Sequence, residues 1–100
     1  MIATFVDGRM EANFTVERHG ELLDDLAHAD DEHPDVSLSD DEGWCLSFFR
    51  SGLVVFENID DDVDSSLRLR DVSREQQLQL MAWLDAGQFD LIQALDWEDE

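Results

Sequence analysis

The stretch that most constrains the fold is WCLSFFRSGLVVFENI, residues 44–59. Two apolar runs of strand length stand on either side of Ser51 and Gly52. Short continuous apolar runs bounded by turn signals read as strands buried on both faces. A Ser-Gly pair supplies a two-residue hairpin turn, with glycine where the backbone needs unusual dihedrals. Side chains alternate along a strand, so Trp44, Leu46 and Phe48 share one face of the first run, and Leu53 and Val55 one face of the second. A chain with this hairpin at its middle builds a sheet around it.

The flanking segments extend that sheet. MIATFV is short and β-rich, Asp7 and Gly8 signal a turn, and Phe14 and Val16 alternate with polar neighbours. Residues 2–6 and 12–17 therefore read as a hairpin. HGELLDDLAHA changes period: Leu22, Leu23, Leu26 and Ala27 fall on one face of a helix over about 20–29. Residues 30–42 hold seven acids and the only proline, and read as a solvated loop with a short edge strand at 36–38. SSLRLRDV alternates, with Leu67 and Leu69 inward and Arg68 and Arg70 outward. Ser73 and Gln76 form a capping box that starts the last helix. Leu80, Met81 and Leu84 form its buried stripe, with Leu78 or Trp83 at the margin. Gly87 ends it as a left-handed residue, and Phe89, Ile92, Leu95 and Trp97 pack on the sheet edge. The order ββ-α-βββ-α predicts one α+β domain over residues 1–100. It is an antiparallel sheet of about five strands with two helices packed mainly on one face.

Charge bounds the function. The 100 residues carry 26 acids against six arginines and no lysine, a net of -20. Binding to nucleic acid depends on cations that neutralise phosphates, so direct nucleic-acid binding is not expected. The same field repels an anionic membrane surface, and no apolar run reaches spanning length. A basic n-region followed by a long apolar stretch is absent at the N-terminus, so the expected location is the cytoplasm. A hydrophobic fraction of 43% separates the chain from disordered acidic tails.

Candidate chemistry is sparse. Asp60, Asp62 and Asp64 have the 1-3-5 spacing of a calcium loop, but Ser65 stands where that loop needs glycine and Asp71 where it needs a bidentate glutamate. The flanking segments read as strands, not helices. His28 and His33 straddle a helix end, and His19 stands apart, so all three read as solvent-exposed rather than as metal ligands. Cys45, the only cysteine, sits among apolar residues as an inert buried thiol. No nucleophile elbow and no phosphate-cradling glycine loop is present. An enzyme is not expected, and neither a metal nor any other cofactor.

The acids are clustered instead. Residues 30–42 hold seven, residues 57–64 five, and Asp96, Glu98, Asp99 and Glu100 add four. All three groups lie at predicted element ends. Such clusters keep a surface solvated, and they also steer a cationic partner to fast association. Aromatic residues beside them serve as anchors, which points to Trp44 and Trp97.

The helix ELLDDLAHA, the hairpin WCLSFF-SG-LVVFEN and the terminal VSREQQLQLMAWLDAGQFDLIQALDW together resemble the Imm1-like immunity proteins of bacterial polymorphic toxin systems. The resemblance covers the last two thirds of the chain and rests on capping, periodicity and one tryptophan. It implies an antitoxin that binds a cognate toxin domain, often a nucleic-acid deaminase or nuclease, and occludes its active site. Physics agrees: such a toxin presents a basic cleft, which a small acidic protein can fill. The expected partner is therefore a protein toxin with a basic surface. The expected contact residues are Asp60, Asp61, Asp62 and Asp64, then Asp40, Asp41, Glu42 and Trp44. Two other readings stay open. One is an acidic DNA mimic that inhibits a nucleic-acid-binding enzyme. The other is a small housekeeping domain of a salt-adapted organism.

Overall fold

The computed structural model describes residues 1–30, 32, 34–58 and 66–99. Seven strands form one antiparallel sheet: β1 (Ile2–Thr4), β2 (Met10–Glu11), β3 (Asp35–Ser39), β4 (Trp44–Phe49), β5 (Val54–Asn58), β6 (Leu67–Leu69) and β7 (Glu98–Asp99). Their spatial order is β2-β1-β3-β4-β5-β6-β7. Helix α1 (His19–Asp24) runs into a 3-10 turn over Asp25–His28. Helix α2 (Arg74–Asp85) and the short α3 (Phe89–Gln93) follow β6. The α+β class stands, with seven strands where about five were expected.

The centre of the sheet is the hairpin that the sequence singled out. Phe48 pairs with Val54, Leu46 with Phe56 and Trp44 with Asn58. Val36 and Leu38 of β3 pair with Phe48 and Leu46 on the other side. These six apolar residues other than Trp44 are at most 1% exposed and face the helices. Phe48 and Phe56 are the largest fully buried side chains, each contributing about 1.5–3 kcal/mol by burial. The inward residues of β5 are thus Val54 and Phe56; Leu53 and Val55 face the other way. The turn is three residues long rather than two: the Phe49 amide donates to the Leu53 carbonyl at 2.9 Å, and Gly52 has φ 92°. A Cβ on Gly52 would stand 3.4 Å from the Asp71 backbone, so the position requires glycine twice over.

The helices cover one face only. Leu22, Leu23 and Leu26 of the first helical segment, and Leu80, Met81 and Leu84 of α2, join the strand residues in one core. The stripe on α2 is the expected one. Its start is the expected capping box: the Gln76 amide donates to Ser73 Oγ, and the Ser73 amide to Gln76 Oε1, both at 3.2 Å. Gly87 follows at φ 71°. In the first segment Ala29 is buried and Ala27 exposed, because the tighter 3-10 turn rotates the last residues off the helical stripe.

Three expectations are corrected. Residues 12–17 form no strand: β2 closes at Glu11, Asn13 takes φ 58°, and Phe14 turns into the core while Val16 starts a 3-10 turn. The strand expected at 36–38 is present, as β3, but it is no edge. β3 lies between β1 and β4, because Val36 and Leu38 complete the inward face. His19 is not exposed; only 2% of its surface reaches solvent.

A candidate acidic cleft at one end of the sheet

The β3–β4 connection holds Asp40, Asp41 and Glu42. Asp40 fixes its shape: Oδ1 accepts the amides of Glu42 and Trp44, each at 2.9 Å, and the Asp40 amide donates to the Trp44 carbonyl at 2.9 Å. Gly43, at φ 91°, lets the chain reverse directly after the three acids. The Asp41 and Glu42 carboxylates then stand exposed on a rigid turn.

Beside this turn lies a cleft of about 340 Å3 lined by Met1, Asp40, Asp41, Glu42, Leu84, Asp85, Gly87 and Phe89. Four carboxylates form its rim, and Met1, Leu84 and Phe89 supply apolar walls. Asp85 arrives from the C-terminal end of α2. A carboxylate there is disfavoured by the helix dipole and adds to the negative potential. Among the described residues none of these four acids is paired with an arginine. The ion pairs lie elsewhere: Arg18 with Glu11 and Glu21, Arg74 with Asp24, and Arg70 with Glu98.

Trp44 occupies a different place from the one expected of an anchor. It is half-buried, stacked on Phe56 with 5.1 Å between ring centroids and tilted against Phe89 at 5.5 Å. Phe56 in turn meets Trp97 at 5.8 Å, whose Nε1 donates to the Ile92 carbonyl at 2.6 Å. Trp44 therefore supports the cleft from behind, holding Phe89 in its wall. Trp97 locks α3 onto the sheet.

Asp60, Asp61, Asp62 and Asp64 lie outside the described residues. The chain on either side of them is described. Asn58 pairs with Trp44, and its Nδ2 donates to the Glu42 carbonyl at 3.4 Å. Ser66 Oγ donates to Glu57 at 2.9 Å. β5 thus ends, and the chain to β6 returns, at the same end of the sheet as the Asp40–Glu42 turn. The calcium-loop spacing of Asp60, Asp62 and Asp64 lies outside the described residues as well. Among the described residues no three His, Cys, Asp or Glu side chains converge as metal ligands.

Sequence reading missed Asp85, Leu84 and Phe89 as parts of this cleft. Leu84 reads as core, and only the packing of α2 and α3 against β4 brings these residues beside residues 40–42. Among the described residues the other titratable groups offer no second site. Cys45 is 8% exposed, and burial pushes its thiol pKa up, away from reactivity. No helix among the described residues is long and apolar enough to cross a membrane. Compared with known proteins, the chain matches no family model, no curated protein and no solved structure.

Proposed function

We propose that this chain is an immunity-type inhibitor that binds a cationic toxin domain acting on nucleic acid and blocks its active site. One observation carries the reading. Asp40, Asp41, Glu42 and Asp85 meet on a fixed rim over apolar walls, without arginine partners among the described residues. Rigid, uncompensated carboxylates lose little entropy when a cation docks. They also draw a basic surface in by long-range attraction. The apolar walls accept the methylene stem of an arginine or lysine while the rim holds its head. Inhibition is steric and electrostatic, with no bond made or broken. The same reading assigns the acids at 60, 61, 62 and 64 to the contact surface, since the strands on either side of them end beside this rim.

The test is co-expression with the basic domains encoded by neighbouring genes. The expected result is a one-to-one complex in which the partner's activity on DNA or RNA stops. A triple change, Asp40→Asn, Asp41→Asn and Glu42→Gln, keeps the fold and weakens that complex at least tenfold. Each close charge pair is worth upward of about 1.5 kcal/mol in such interfaces. A full set of neighbours none of which binds would falsify the proposal.

A further inference from the structure

The helices leave the second face of the sheet uncovered, and its charge is unlike the rest of the molecule. Strand alternation and register place its side chains in three rows. Met10, Thr4, Ser37, Ser47, Val55, Arg68 and Glu98 form the middle row. Ile2, Ser39, Cys45 and Glu57 form one outer row, and Asp35, Phe49, Leu53 and Arg70 the other. Among the described residues this face holds three acids against two arginines, in a chain whose net charge is -20. The centre is small and hydroxylated, and Phe49, Leu53 and Val55 form a half-buried apolar patch beside Arg68 and Arg70.

We infer that this face is where two copies of the chain associate, closing a two-sheet sandwich with the helices outside. The argument is electrostatic and steric. A basic partner gains little from this near-neutral face, whereas a like-charged copy meets little repulsion there. Sheets in a sandwich lie about 10 Å apart, and a helix layer adds about 10 Å on each side. Acids on the helices are then about 30 Å apart, and the sheet-end acids of the two copies, at opposite ends of the pair, are about 17–20 Å apart; both distances exceed the Debye length of about 8 Å at physiological salt. Repulsion between them is screened. The face is also self-complementary. A twofold axis lying across the strands exchanges the two outer rows, which brings Arg70 of each copy toward Glu57 of the other. Small side chains at Thr4, Ser37 and Ser47 let the sheets approach. The molecule measures 29 × 28 Å across, room for the roughly 800 Å2 per partner that a stable interface buries. The acid-rimmed cleft lies at the sheet's end and stays open in such a pair, so this inference stands apart from the proposed function.

Sedimentation equilibrium of the intact chain at about 0.15 M salt tests it. The expected mass is twice 11.5 kDa. Ser47→Arg puts a long charged side chain at the centre of the face and is expected to give a monomer with unchanged circular dichroism; Thr4→Arg serves the same purpose should Ser47→Arg not fold. Glu57→Arg is expected to disperse the pair, and the double change Glu57→Arg with Arg70→Glu to restore it. A wild-type monomer overturns the inference. So does a dimer that survives both central arginines, or a Glu57→Arg defect that Arg70→Glu does not rescue.

Discussion

The imidazole of His19 lies against the ring of Phe14, with 6.3 Å between centroids and 19° between planes. Its Nε2 has no hydrogen-bond partner among the described residues. The contact joins the start of α1 to the segment that leaves β2. It explains why a histidine, usually a surface residue, is buried here: the neutral ring packs as an aromatic.

That packing makes stability depend on pH. Burial lowers the His19 pKa below its ordinary 6.5, while the carboxylates of Asp85 and Glu17 pull weakly the other way. The folded state therefore resists the proton that the unfolded chain accepts at 6.5. His19 gives its full contribution above pH 6.5, and that contribution is lost as pH falls from 6.5 to the lowered folded value. Thermal melts of wild type and His19→Phe between pH 8 and 5 check this. The wild type is expected to lose ground to the variant only below about 6.5. Parallel curves for the two proteins sink the idea. Comparing the two cancels the carboxylates, whose titration changes both alike.

A second long-range contact fixes the first strand. Asp25 Oδ2 accepts the Val6 amide at 2.8 Å across 19 residues, and Leu22 and Leu26 bury beside it. Asp25→Ala leaves that amide without its partner in a partly buried place, at a cost of about 1–3 kcal/mol. Asp25→Asn keeps an acceptor and is expected to recover most of the loss. Denaturant midpoints at constant slope provide the measurement.

The cap of α2 makes a separate case. Ser73→Ala removes the acceptor for the Gln76 amide and one half of the capping box, which costs about 1 kcal/mol. Ser73→Asp restores the acceptor but adds charge to an acidic surface, so its gain is expected to be smaller at low salt than at high. Met81→Ala, in the same helix and 0% exposed, costs about 2–5 kcal/mol. A reversal of that order would mean that α2 docks loosely.

What the sequence made legible follows the strength of its local signals. The central hairpin, the capping box, the stripe Leu80, Met81 and Leu84, and the left-handed Gly87 each rest on interactions within a few residues. Those were readable. β3 was legible only in part: its strand at 36–38 reads as an edge, because Val36 and Leu38 are two apolar residues among seven acids, and only pairing with both β1 and β4 makes it interior. β7 is two acidic residues, Glu98 and Asp99, with no strand signal of their own; pairing with Leu67 and Arg68 creates it. Residues 12–17 show the opposite failure. Their alternation fits a strand, but the chain breaks at Asn13, at φ 58°, and burial of Phe14 in the core wins, as tertiary context overrides propensity. Of the candidate contact residues, Asp40, Asp41 and Glu42 meet at the cleft, and Trp44 supports it from behind. Asp85 and Phe89 come to that place through the packing of α2 and α3, which no local pattern encodes.

The charge makes the last prediction, and it separates two readings of the acidity. At -20 the folded chain is strained by self-repulsion. Arginines pair with acids along the helices and at the β6–β7 edge, while the acids at residues 40–42 and Asp85 remain uncompensated among the described residues. Screening is strong already at about 0.1 M salt, where the Debye length is about 10 Å. An inhibitor built for a cationic partner is expected to gain stability from about 0.01 to 0.15 M salt and to change little beyond that range. Asp41→Asn with Glu42→Gln is expected to raise the low-salt melting temperature and flatten that rise. A salt-adapted protein behaves differently: its stability keeps climbing to molar salt, because there the acids stabilise by holding hydrated cations, not merely by being screened. Melting curves across salt, for wild type and for the double variant, decide between them. A continued climb in the wild type removes the partner-binding account of these four carboxylates.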